Sequence, residues 1–172
     1  LGDGVRVDVG SSAVVFGSIS ASSNIGPGLR IADGLGTHIN SGFFFSNNGR
    51  IGIDLVAPGD PFSGFTGNDV GDADTGPNGL LDFPVIASVA AIGPGVVVVK
   101  GSGCAGCTVL AMAAAPDPSG HGEPNGSATA TTVDETGQWS LEMGLAADSY
   151  VTAVTIDVDD PRVFRAPALR RV

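Results

Sequence analysis

A repeat at the start of the chain restricts its fold more than any other feature. Gly4-Val5-Arg6-Val7, Gly28-Leu29-Arg30-Ile31 and Gly52-Ile53-Asp54-Leu55 align at a constant offset of 24 residues. The same offset pairs Gly2 with Gly26, Val15 with Ile39, Ile19 with Phe43, Ala21 with Phe45, Ser22 with Ser46 and Asn24 with Asn48. A period between roughly 20 and 50 residues marks a solenoid, whose units bury their apolar faces only by stacking. Within each unit the apolar residues alternate (Val5, Val7, Val9; Ile51, Ile53, Leu55), which is strand periodicity. The repeats therefore predict coils of a parallel β-helix about 4.8 Å apart. Val5, Leu29 and Ile53 form one inward column, and Val7, Ile31 and Leu55 form another. Arg6, Arg30 and Asp54 form an outward column. Asn24 and Asn48 mark one corner, where Asn tolerates the left-handed conformation and stacks on its copy. Two full coils and part of a third fall short of the three or so repeats and the cap that a solenoid needs. The first coil is thus expected to present an open edge. That edge, and Leu in place of Met at position 1, fit a processed chain or the C-terminal piece of a longer β-helix. An alternative is a second chain covering the first coil.

Composition narrows the remainder. The 27 Gly and 11 Pro make up about 22% of the chain, against an average near 12%. With 42% hydrophobic residues, a mean hydropathy of +0.27 and no triplet spacing, the chain is neither a disordered tail nor collagen. Eighteen acids against eight bases give a net charge of −10, which disfavours nucleic acid and anionic lipid but attracts divalent cations. The longest apolar stretch, Val85 to Val99, is interrupted by Ser88, Gly93, Pro94 and Gly95, so no membrane span is expected. No signal peptide is visible. Cys104 and Cys107 form a single CxxC without the second pair of a zinc site. They read as a tight disulfide at a hairpin turn, with free thiols or a redox site as alternatives. The balance of these features favours export.

After Leu55 the alternation stops. Within Asn68–Pro84, Asp72, Asp74 and Asn78 fall at offsets 1, 3 and 7 of a calcium-type loop, with Asp82 at offset 11. The candidate metal ligands are Asp69, Asp72, Asp74, Asn78 and Asp82, and the candidate ion is Ca2+, which takes six to eight oxygens. No Glu closes the loop and its flanks are not helical, so the competing reading is an Asx-rich turn with carboxylates bonded to backbone N–H groups.

From Phe83 onward the pattern changes to short, separately bounded strands: Val85–Ile92, Val96–Gly101, Thr108–Ala113, Gly126–Thr132, Trp139–Met143, Tyr150–Val158 and Val163–Ala166. That density predicts a small immunoglobulin-like β-sandwich. Trp139 reads as a core or hairpin residue, with sugar stacking as its alternative. His121 reads as a solvated loop residue.

The order of motifs resembles a bacterial cell-surface family in which right-handed parallel β-helix repeats run into a C-terminal immunoglobulin-like module. The residues that carry it are Asn48-Gly49-Arg50-Ile51-Gly52-Ile53-Asp54-Leu55, then Asn68-Asp69-Val70-Gly71-Asp72-Ala73-Asp74-Thr75-Gly76-Pro77-Asn78-Gly79-Leu80 and Phe83-Pro84-Val85. Cys104-Ala105-Gly106-Cys107-Thr108-Val109, Gly126-Ser127-Ala128 and Gly137-Gln138-Trp139-Ser140 continue it. The resemblance covers most of residues 48–158 and is most specific over 68–84. The family's usual Gly-Asn-Thr-Ser-Glu-Phe ending is replaced by Asp159-Asp160-Pro161-Arg162-Val163-Phe164. The resemblance implies export and a structural or adhesive role, and it carries over no catalytic residue.

The expected organisation is all-β: parallel β-helix coils over 1–57, an acidic capping loop or linker over 58–83 and an immunoglobulin-like β-sandwich over 84–172. The expected function is a secreted or surface-displayed, non-catalytic structural or adhesive protein. Its expected partners are other copies of itself, as an oligomer or filament through the open coil, or a cell-surface or matrix glycan. The alternatives are part of a carbohydrate-active β-helix enzyme (a polysaccharide lyase or hydrolase) and a carbohydrate-binding module. Arg30 beside Asp54 could serve a lyase only with a severely depressed pKa; a charge ladder between coils is the simpler reading, and no catalytic or cofactor-binding residue is assigned.

Overall fold

The computed structural model describes residues 2–39, 42–60, 65–156 and 170–171. Among these residues it is all-β, with a single short 3₁₀ turn at Pro77–Leu80. Two of the three ladders within the repeat pair at the 24-residue offset. Strands β1 (Val5–Val7), β4 (Leu29–Ile31) and β7 (Ile53–Leu55) form a parallel sheet in which Val5 pairs with Leu29 and Leu29 with Ile53. β3 (Ile19–Ser22) and β6 (Phe43–Ser46) pair in parallel with Ile19 opposite Phe43. The third ladder, β2 (Val15–Phe16) with β5 (His38–Ile39), is shifted by one residue from the sequence expectation: Phe16, not Val15, faces Ile39. A one-residue slip exchanges the faces of a strand. Here it turns the larger Phe16 toward the core and leaves Val15 53% exposed beside His38.

The stacking explains the glycines that open each unit. A Cβ on Gly28 would overlap the Phe45 ring and come within 2.8 Å of the Gly52 carbonyl, so neighbouring layers approach closely only without a side chain there. Both inward columns are realised: Leu29, Ile31, Ile53 and Leu55 are buried together with Phe43, Phe45, Ile19 and Val7.

The second half builds two sheets. One contains β8 (Val85–Gly93), β9 (Val96–Ser102) and β13 (Gln138–Gly144) in the order β13-β9-β8. The other is centred on β10 (Thr108–Ala115), flanked by β14 (Tyr150–Ile156) on one side and by β11 (Glu123–Gly126) and β12 (Thr129–Thr132) on the other. β15 (Arg170–Arg171) pairs with β14. The expected strand Gly126–Thr132 is therefore divided, and the expected strand Val163–Ala166 lies outside the described residues. Ile86, Val97, Val99, Trp139, Leu141 and Met143 of the first sheet pack on Val109, Ala111, Val151 and Ala153 of the second, forming one core.

The other face of β10 and β14 builds the first core. Because successive strand residues point to opposite faces, Met112 and Val154 join the repeat residues while Val109, Ala111, Val151 and Ala153 face away from them. β14 is consequently buried on both faces from Val151 to Thr155. This wall is shared by both halves. β11 extends the sheet further, pairing antiparallel with β6 through Asn125–Phe44 and Gly126–Phe43, so the sheet runs β15-β14-β10-β11-β6-β3.

Candidate functional site

The acidic segment is held by its own side chains. Asn68 clamps Phe83, donating Nδ2 to its carbonyl at 2.7 Å and accepting its N–H at 3.0 Å. Asp69 accepts the N–H groups of Ala73 at 2.9 Å and Asp74 at 3.0 Å, Asp72 accepts that of Asp82 at 2.9 Å, and Asp82 accepts that of Asp69 at 3.2 Å. Asp69, Asp72, Asp74 and Asp82 are thus brought together, with three of their carboxylates on backbone N–H groups. Asn78 lines one depression with Asp72 and Asp74, but its side-chain amide is engaged by Thr37. It is 1% exposed and docks on the coils, accepting the Thr37 N–H at 3.0 Å, donating to the Thr37 carbonyl at 2.7 Å and donating its own N–H to Gly34 O at 2.9 Å. Leu80 follows it into the coil core.

Asp72 borders two open depressions. One of about 570 Å³ also takes Asp33, Asp74 and Thr75, and one of about 520 Å³ takes Asp69, Asp82, Ser102 and Gly103. Among the described residues no three His, Cys, Asp or Glu side chains are grouped to share a metal ion. The prediction that separates an Asx-rich turn from a calcium loop is direct. With the backbone N–H groups holding the carboxylates, removing calcium with a chelator should leave the melting temperature unchanged. A calcium site of roughly 0.1 mM affinity would instead add about 1.4 kcal/mol at millimolar ion, read as a rise of a few degrees.

A feature the sequence did not disclose lies at the corner marked by the asparagines. Asn24 donates both its backbone N–H (3.1 Å) and its side-chain amide (2.8 Å) to Asn48 Oδ1. Asn48 repeats the pattern one layer on, giving its backbone N–H (3.1 Å to Oε1) and its amide to Glu123. Glu123 is fully buried, and burial pushes its carboxyl above the usual carboxylate range, with the Asn48 donors opposing. It takes the place of the next asparagine in the series. The left-handed residues of this corner are Ser23 (φ 60°) and Asn47 (φ 56°), one position before the sequence expectation. Only the side chains of Asn24 and Asn48 form the ladder. Glu123 arrives on β11, 75 residues away in sequence from Asn48, so no local pattern announces it.

No protein-family model matches the chain, and no curated protein matches it.

The remaining sequence candidates are placed as follows. Arg6, Arg30 and Asp54 are in register, but only Arg6 is exposed; Arg30 is 6% and Asp54 2% exposed, so a polymer substrate would not reach them. Arg30 Nη1 lies 3.8 Å from Asp3 Oδ2. Trp139 is buried and donates Nε1–H to Ser102 O at 3.1 Å, which leaves no face for a sugar. His121 is not a solvated loop residue: its ring lies 4.2 Å from Phe65 and 5.6 Å from Phe83, tying the loop before β11 to the acidic segment. Cys104 and Cys107 are disulfide-bonded at the turn between β9 and β10. Among the described residues no helix is long and apolar enough to cross a membrane.

Proposed function

We propose that this chain is the closed end of a stack of parallel β-helix coils, finished by an immunoglobulin-like sandwich, and that its role is structural display outside the cell rather than catalysis. The observation that carries the reading is Glu123 standing where a following coil would place its asparagine, on a strand that covers β6 where a following coil would place its own. Asn78 closes the neighbouring corner against Thr37. A stack finished in this way has its β6 edge paired by β11 instead of left open. The acidic surface and the disulfide support an exported setting, where disulfides persist. Calcium held by the acidic segment would be an addition to this role, not its basis.

Closure of one end also bears on assembly. Head-to-tail polymers need two complementary open faces, and non-closing contacts of that kind produce fibres. With one face closed, light scattering should give a discrete species near 17.0 kDa in calcium and in chelator alike. A ladder of sizes would reject the closed end. Cleavage of any member of a panel of acidic polysaccharides would reject the non-catalytic role in favour of a carbohydrate-active enzyme.

A further inference from the structure

We infer that the face made by β1, β2, β3 and Asn24 is a docking surface for one more parallel coil of the same 24-residue type, whose corner asparagine donates to Asn24 Oδ1. The inference rests on the stacked-coil reading above. It follows first from the polarity of the corner ladder. Each corner residue gives its backbone N–H and its amide to the following layer and offers its oxygen to the preceding one: Asn24 to Asn48, then Asn48 to Glu123. A carboxylate has no hydrogen to pass on, so the series ends at Glu123. At the other end, no donor among the described residues reaches Asn24 Oδ1, although the equivalent oxygen of Asn48 accepts two.

The β3–β6 ladder carries the same asymmetry. Among the described residues β1, β2 and β3 each end their sheet, bonded only to the repeat unit that follows; at the other end β5 and β7 also end theirs, whereas β6 is paired on by β11. Val5 is half-buried, whereas Leu29 and Ile53, stacked in the same column, are completely buried. A surface that has already accepted a coil twice within this chain is therefore presented a third time without one. Its occupant is not the far end of a second copy, because there the corner donors of Asn48 are already taken by Glu123, β6 is paired by β11 and Thr37 is held by Asn78. A second copy face to face would set amide oxygen against amide oxygen and bring together two chains of net charge −10.

The test extends the full chain with a duplicate of residues 2–25 placed ahead of Gly2, so that the copied asparagine falls at the next ladder position. Amide exchange in β1 and β3 should slow by roughly tenfold or more, as expected when a frayed edge becomes internal, and the melting temperature should rise by several degrees. The same extension with Ala in place of the copied asparagine should recover only part of the gain; an equal gain would overturn the amide donation. Unchanged exchange in β1 and β3, with β4 and β7 still protected, would overturn the docking surface while leaving the stacked-coil reading in place. If β4 and β7 exchange like a free chain, the stacked-coil reading itself fails. A stable dimer of the unextended protein with β1 and β3 already protected would make a second copy the occupant and overturn the proposal.

Discussion

Replacing Glu123 by Ala should cost about 3–5 kcal/mol, lowering the melting temperature by roughly 10 °C. The carboxylate is completely buried and accepts the Asn48 N–H and the Asn48 amide. Truncation leaves these donors without an acceptor in a place that water does not reach, and each unsatisfied buried donor costs about 1–3 kcal/mol. Glu123→Gln keeps the size and one acceptor oxygen and removes the charge that burial opposes. It should stay within about 1 kcal/mol of the wild type. Urea unfolding of the two variants decides the matter. Equal losses would mean that Glu123 fills space rather than terminates the ladder. The loss in the Ala variant should also appear as faster exchange in β6 and β11, which the carboxylate joins through Asn48.

Stability should rise as the pH falls from about 7.5 to 5, and Asp54 should be the main cause. Its Oδ1 is buried without a hydrogen-bond donor, on a residue only 2% exposed. Burial, then the charge of Asp60 and more weakly of Asp3, pushes its carboxyl up to about 6 from an ordinary 3.8, while Arg30 and Arg50 pull the other way. A folded pKa above the unfolded one means that the charged form opposes folding. The penalty is complete above pH 6, is relieved as the pH falls through 6, and changes no further below about 3.8. A difference of about two units corresponds to about 3 kcal/mol. Burial shifts Glu123 in the same direction. Asp8, Asp33 and Asp134 are held low by hydrogen bonds, from the Val9 N–H, from the Gly10 and Gly34 N–H groups, and from Thr136 and Gln138, respectively. Their contribution is lost only as the pH drops below the ordinary carboxylate range, so stability should turn down again below about 4. Asp54→Asn should be more stable than the wild type by about 2 kcal/mol at pH 7.5 and should lose most of the rise toward pH 5. Parallel pH profiles for the two proteins would remove Asp54 as the cause.

The acidic loop shows where local reading stops. Its spacing of Asp and Asn suits either a cation or a self-bonded turn, because both need oxygens projecting from alternate residues. Where those oxygens point depends on what lies nearby. Asn78 shares the spacing of Asp72 and Asp74, but its side chain is taken by Thr37, 41 residues earlier in the chain. The Arg30–Asp54 pair shows the same limit. Alternation places both outside the inward columns, as found, yet does not tell that this side is also covered. His121 likewise looks solvated in Ser119-Gly120-His121-Gly122 until Phe65 and Phe83 are brought against it.

Short-range order and its repetition were written in the sequence. Alternation fixes which face of a strand is apolar, a constant offset fixes which residues stack, and a glycine is required wherever one layer approaches the next. Those rules place Val5 on Leu29 on Ile53 and Asn24 on Asn48 without knowledge of anything else. The tertiary structure decided what packs against the repeat. Glu123, Met112 and Val154 come from strands that read as members of a separate sandwich, and Met112 and Val154 reach the repeat because β10 and β14 carry apolar residues on both faces. A period says nothing about the elements that pack against it, since their side chains need match the repeat only in space.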